Sequence, residues 1–178
     1  RWLDNTDLWD DTKGFFAFVR ECLPEFAYNA TPRHHRAIIS LMLELYRPLY
    51  VNKFQRLRNI ISYRGSAKST LSNTLFAIYA ICMNGRKMKF KYNDAVEECL
   101  LEEKLIVILS ETTGSAEDFT TRIRDQFTEN AMLKYYFHFM IHDAQDSDTG
   151  IWTKLIFRIN GCYVMGAGVG KQIRGKVR

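Results

Sequence analysis

Lys68, Ser69 and Thr70 stand together behind a few small residues in "NIISYRGSAKSTLSNTLFAIYAI" (59–81). A lysine followed by a hydroxyl residue at the start of a helix can hold phosphate. The ammonium reaches the outer phosphates and the hydroxyl ligates Mg²⁺. The strict spelling of such a loop is G-x-x-x-x-G-K-[S/T]; aligned on Lys68, it puts Ser62 and Ala67 where glycines belong. The binding groups of a phosphate cradle are backbone N–H groups and a helix N-terminus, so glycine serves the turn rather than the contact. Gly65 can supply a positive φ, and Ser66 and Ala67 are small enough for phosphate to approach. An ordinary strand, capped turn and helix would carry the same letters.

A hydrolase of this type needs a second part: an apolar strand ending in Asp for Mg²⁺, with a Glu nearby to orient water. No such strand is found. "LIVILSE" ends in Ser110-Glu111, and Glu111 is a poor substitute. "DAQDSD" (143–148) is acidic but follows no strand and reads as a solvated loop. His138 and His142 are four apart with Asp143 next, but two ligands do not make a metal site. "GAGVGK" (166–171) has Gln172 where a hydroxyl is needed, and is rejected as a second loop. Lys171, Arg174, Lys176 and Arg178 form a basic cluster, open to contact with DNA or a neighbouring subunit's nucleotide and equally to a solvated end. "YYFHFM" (135–140) reads as core.

The elements that must position the lysine loop follow from periodicity. "KGFFAFVRECL" (13–23) is amphipathic at helical spacing. A second helix is expected from a Thr31 cap through Pro32 to about Tyr46. "LRNIIS" (57–62) reads as a strand leading into the turn, and 68–83 as the long helix behind it, closed by Asn84-Gly85. Residues 86–103 are charged and read as a peripheral insertion, with a helix expected after Asn93. "KLIVILS" (104–110) is apolar throughout, which predicts a strand covered on both faces. A Ser115/Asp118 capping box opens a helix with Ala116, Phe119, Ile123 and Phe127 on one face. A further helical stretch is expected to about Met140. Asn160-Gly161 between alternating runs predicts a hairpin. Strands alternating with helices argue for a parallel α/β sheet.

The 178 residues suffice for one domain with a core, and the net charge of +5 mildly favours an anionic partner. No apolar run approaches the ~20 residues that span a bilayer. The opening "RWLDNTDLWDD" lacks the basic start and apolar core of a signal peptide. Without an initiator Met, the chain reads as trimmed. Cys22, Cys82, Cys99 and Cys162 lack knuckle or redox spacing, and three of them sit in apolar or amphipathic surroundings, which predicts buried free thiols and a reducing, cytosolic setting.

"IVILSETTGSAEDFTTRIRDQFTENAMLKYYF" (106–137) resembles the segment after the phosphate loop in large terminase subunits of tailed bacteriophages. "INGCYVMGAGVGKQIRGKVR" (159–178) resembles that family's hairpin and following loop, at Gly166, Gly168, Ile173, Arg174 and Gly175. "YRGSAKSTL" is similar to the family's phosphate loop, which tolerates loss of the first glycine and carries an arginine where Arg64 stands. The resemblance covers about residues 31–178.

It implies an α/β P-loop NTPase core of the ASCE/RecA-like type, a parallel sheet flanked by helices with an added β-hairpin. Residues 1–50 would form an N-terminal helical segment packed on the core. Residues 51–178 would be the core, ending before the acidic strand, with the nuclease domain beyond. By the same resemblance Lys68 binds the β/γ-phosphates of ATP and Ser69 ligates Mg²⁺. Gly65, Ser66, Ala67 and Thr70 would line the phosphates, and Arg64 would sense or stabilise charge at the γ-phosphate. His35 or Arg36 would meet adenine, in place of the family's Gln motif.

The implied activity is ATP hydrolysis driving double-stranded DNA into a procapsid, with little hydrolysis from these residues alone. The implied partners are DNA, a portal protein, a small terminase subunit and further copies in a ring, with no membrane. The implied place is the host cytoplasm, transiently at the portal. Another P-loop ATPase, a kinase or helicase-like enzyme, and a scaffold with an accidental loop remain alternatives.

Overall fold

The computed structural model describes residues 12–27, 31–46, 61, 65, 67–92, 95–100, 102, 105–138 and 151–169. It is an α/β protein. Its contacts divide it into two compact units, residues 1–79 with 85–102, and residues 80–84 with 103–178.

In the first unit, helix α1 (Thr12–Cys22) and helix α2 (Arg33–Leu43) pack together, joined through a 3₁₀ turn at Pro24–Phe26. The expected amphipathic spacing of α1 is realised, with Phe15, Phe18, Val19 and Cys22 buried. Rings dominate this core: Phe15 and Phe18 meet Tyr79 edge-on at 5.2 and 5.3 Å. Helix α2 begins one residue later than the Thr31 cap predicts. Pro32 takes the cap position in extended conformation, with no side-chain cap bond. A 3₁₀ turn, Glu44–Tyr46, carries the chain on to the expected end.

Residues 68–83 are helical as expected, but not uniformly so. Thr70–Leu75 is π-helical and leads into α-helix α3 (Phe76–Met83). Gly85, at φ +78°, follows. The expected strand 57–62 lies outside the described residues except for Ile61, which is exposed and not in a strand.

The helix expected after Asn93 is replaced by an antiparallel ribbon, β1 (Lys87–Tyr92) with β2 (Ala95–Leu100). Alternation in Lys-Met-Lys-Phe-Lys-Tyr has period 2, and strand pairing overrides the helix formers that follow.

The second unit is a three-stranded mixed sheet in the order β3-β5-β4, with β3 (Leu105–Ser110), β4 (Ile156–Ile159) and β5 (Cys162–Gly168). β3 and β5 run parallel, and β4 joins β5 as the expected antiparallel hairpin. Asn160 and Gly161 both have positive φ, 47° and 71°, as a two-residue Asn-Gly turn requires.

Helix α4 (Thr113–Glu129) packs on β5 and β3. Its cap is Thr112, whose Oγ1 accepts from the Ser115 N–H at 3.1 Å, so the expected Ser115/Asp118 box begins three residues too late. Ala116, Ile123 and Phe127 are buried as expected, and Phe119 is half-buried. Thr120, also buried, satisfies its hydroxyl on the carbonyls of Ala116, Glu117 and Lys154.

Gly166 and Gly168 let the sheet approach this helix. A Cβ at Gly166 would stand 3.0 Å from the Ala116 oxygen, and one at Gly168 would overlap the Thr112–Thr113 backbone. Helix α5 (Ala131–Tyr136) stops short of Met140; Phe137 behind it is buried, while Tyr135 and His138 are exposed.

β3 is not covered on both faces among the described residues. Leu105, Val107 and Leu109 are 50, 45 and 62 % exposed, while Ile108 on the other face is buried. Cys22, Cys82 and Cys162 are buried thiols, none in a disulfide. No described helix is long and apolar enough to cross a membrane.

Candidate functional site

The turn before the long helix bends the backbone in an unusual way. Gly65 has φ +85°, as its lack of Cβ permits. Ala67 has φ +56°, in the left-handed region that costs an ordinary residue about 1–2 kcal/mol. This is the position where the strict phosphate-loop spelling has its second glycine, which gives that spelling a conformational reason here. The helix starts directly after, with Leu71 N–H donating to the Ala67 oxygen at 2.9 Å. Lys68 is half-buried, Ser69 exposed and Thr70 half-buried. The first turn of any helix presents N–H groups with no intrahelical acceptor, at the positive end of the helix dipole.

This first turn forms one wall of a cavity of about 290 Å³ lying within the first unit. Ala67, Thr70, Leu71 and Leu75 contribute from the helix side. Phe16, Val19 and Arg20 contribute from α1, and Phe26 and Ala27 from the 3₁₀ turn and its end. Thr31, Pro32 and His35 close the rest. The walls are mainly apolar, with a few polar groups from Arg20, Thr31, His35 and Thr70. That is the make-up of small-ligand sites, and the volume is close to the ~300 Å³ at which such sites begin. The His35 ring is braced edge-on by His34, with ring centroids 4.3 Å apart.

Of the residues that the sequence nominated, Ala67, Thr70 and His35 meet at this cavity. Lys68 and Ser69 adjoin it through the chain, Gly65 is exposed two residues before Ala67, and Arg36 is exposed on α2. Ser62, Arg64 and Ser66 lie outside the described residues, as do His142, Asp143, the loop 143–148 and the tail from 170. Glu111 is exposed just past β3 in the second unit. Among the described residues no group of His, Cys, Asp or Glu could hold a metal ion.

Sequence reasoning missed Phe16, Arg20 and Phe26. They sit about forty to fifty residues ahead of Ala67, and nothing in α1 or the turn after it distinguishes a cavity wall from a core face.

The site also gathers two local irregularities. The π turn is closed by Phe76 N–H donating to the Leu71 oxygen. Within it Thr74 is 1 % exposed, and its Oγ1 has no hydrogen-bond partner among the described residues. A buried hydroxyl left so costs about 1–3 kcal/mol. Such turns recur at functional sites.

The chain matches no protein-family model, no curated protein and no solved structure.

Proposed function

We propose that the chain is the ATP-binding part of a viral DNA-packaging motor of the large-terminase kind, its α/β fold being a P-loop NTPase core. One observation carries this reading. Ala67, directly ahead of Lys68, and His35 line the same largely apolar cavity. A phosphate loop and a base contact must share one ligand, and the family resemblance calls for both.

The residues present fit ATP. Phe16 and Phe26 offer planar rings and Val19 and Leu71 aliphatic surface to a base, and His35 and Thr31 offer hydrogen-bonding atoms. Arg20 can lie over the base as a cation on a π face. Gly65, Ser66 and Ala67 would line the phosphates together with Thr70. Lys68 would pair with the β/γ-phosphates, Ser69 would ligate Mg²⁺, and Arg64 would stabilise charge at the γ-phosphate. Bound ATP supplies the phosphoanhydride whose hydrolysis drives movement; these residues bind and orient it.

Double-stranded DNA, a portal protein, a small terminase subunit and neighbouring copies in a ring follow as partners, in the host cytoplasm and at the procapsid portal.

Calorimetry with ATP and Mg²⁺ tests the reading. Lys68→Ala should weaken binding about 100-fold, the loss of a charge-assisted contact worth roughly 2–3 kcal/mol. Phe16→Ala should weaken it less, about tenfold, through the base. Unchanged affinity in Lys68→Ala refutes the phosphate loop.

A further inference from the structure

The helix behind Lys68 holds a buried hydroxyl outside a pattern that other helical hydroxyls follow. A serine or threonine inside an α-helix can turn its hydroxyl back to the carbonyl three or four residues earlier. Thr120, buried in α4, donates in this way to Ala116 and Glu117, at 3.1 Å each. Thr128 donates to Arg124 and Asp125, at 3.4 and 3.1 Å. Ser72 donates to Lys68 at 2.8 Å, close to where the helix still has α spacing between Leu71 and Ala67.

Thr74 is the exception. It is 1 % exposed, and its Oγ1 has no partner among the described residues. The carbonyls four and three residues before it are those of Thr70 and Leu71, inside the π turn. A π turn is wider than an α turn, and the Leu71 oxygen takes the Phe76 N–H. The same residues in α register would pass the Phe76 N–H to Ser72 and bring the Thr70 carbonyl within reach of the Thr74 hydroxyl. The stretch thus has two hydrogen-bonded solutions, and the π one leaves a buried donor unused.

The choice between them reaches the cavity. Ala67, Thr70, Leu71 and Leu75 wall it in the π register. A change to α register moves the residues before the turn, relative to Phe76, by about 1.5 Å along the axis and roughly a quarter-turn around it. Ala67, Thr70 and Leu71 would leave the wall. A ligand shaped to the cavity therefore binds the two registers unequally, which is the condition for a ligand to shift an equilibrium.

We propose that Thr70–Leu75 is a two-register switch. The π register shapes the cavity and is held by its occupant; the α register satisfies Thr74 and lets the occupant go. The switch rests on the reading of the cavity as a nucleotide site for the identity of that occupant, ATP, and gives the site a means of release.

Backbone amide relaxation dispersion tests it, because helix register shifts fall in the μs–ms range. In the ligand-free chain the amides of residues 68–76 should exchange between two forms, and saturating ATP with Mg²⁺ should quench the exchange. Thr74→Val keeps the shape of the side chain and has no hydroxyl to satisfy. It should lower the α population about tenfold, the worth of one hydrogen bond, whereas Thr74→Ser should keep the exchange. In the ATP-bound chain, the through-bond coupling from the Phe76 amide should lead to the Leu71 carbonyl.

Flat dispersion over 68–76 in the native chain overturns the switch. So does exchange that persists undiminished with ATP bound, or that is equal in Thr74→Val. A Phe76 coupling to the Ser72 carbonyl in the ATP-bound chain overturns it by reversing the registers. Should Thr74→Val fail to fold by circular dichroism, the native chain with and without ATP carries the test. Failure of the nucleotide reading shows separately, as no ATP binding in calorimetry. Exchange in the native chain and its loss in Thr74→Val then decide the switch by themselves.

Discussion

Two residues other than glycine enter the left-handed region of φ among those described, Asn160 at 47° and Ala67 at 56°. Their settings are opposite. Asn160 is a residue type that tolerates the conformation, it precedes a glycine that prefers it, and its side chain is used twice. Its Nδ2 donates to the carbonyls of Ile81 and Asn84 at 2.8 and 3.0 Å, and Asn84 Nδ2 donates back to the Asn160 oxygen at 2.7 Å. Backbone and side chain agree on one geometry.

Ala67 has no polar side chain to offset the strain. Behind it come a π turn and a buried hydroxyl with no partner among the described residues. Natural sequences are locally consistent except where function requires otherwise, and strained backbone clusters at binding sites. These three irregularities fall within 67–75, a stretch that gives Ala67, Thr70, Leu71 and Leu75 to the cavity wall.

The contrast can be broken or sharpened by substitution. The largest effect is expected at Gly168 in the consistent unit. Gly168→Ala drives a methyl into the Thr112–Thr113 backbone and should cost about 3 kcal/mol in a urea melt; near-native stability would mean that α4 and the sheet are not closely apposed. Asn160→Ala should cost about 2 kcal/mol, combining an unfavourable φ with two lost hydrogen bonds. Asn160→Gly, which keeps the φ, should recover about half of this.

Ala67→Gly should go the other way and stabilise by about 0.5–1 kcal/mol, the relief of a left-handed alanine less the entropy that glycine adds to the unfolded chain. A loss of stability would erase the contrast.

The smallest effect at neutral pH belongs to Cys22. Burial first, and then the neighbouring Glu21 charge, push its thiol from the ordinary 9.0 up to about 12. A raised folded value means that the native state holds the proton where the unfolded chain gives it up. Its contribution is therefore full below pH 9.0 and is lost as pH rises from there toward about 12. Melts across that range should show the decline in the native protein and a shallower one in Cys22→Ala.

The features legible in the sequence are those set by near neighbours. The Asn160-Gly161 hairpin, the α1 spacing and the helix behind Lys68 each depend on residues within a few positions of one another. Residues 93–103 went astray because Asn93 and the run of glutamates spell a capped helix, while the deciding partner, Lys-Met-Lys-Phe-Lys-Tyr, lies before the turn. The α4 cap was misplaced by three residues because Thr112 and Ser115 are equivalent cap chemistry, and only the hydrogen bond between them tells which residue accepts. The cavity was half legible. Its loop side and His35 carry chemical letters, whereas its α1 wall is written in ordinary core residues.

The π turn also acts as a phase shift. In an unbroken α-helix the Phe76 N–H would reach Ser72, not Leu71, so Thr70–Leu75 holds one residue more than the α spacing would. Each residue of an α-helix turns the next by about 100°. Relative to the buried side of α3, the first-turn residues 68–70 are therefore dialled by about that angle from where a regular helix would aim them. The direction in which Lys68, Ser69 and Thr70 project is set by a hydrogen bond between two apolar residues, Leu71 and Phe76. Deleting a single residue between them would re-aim all three without touching any of them.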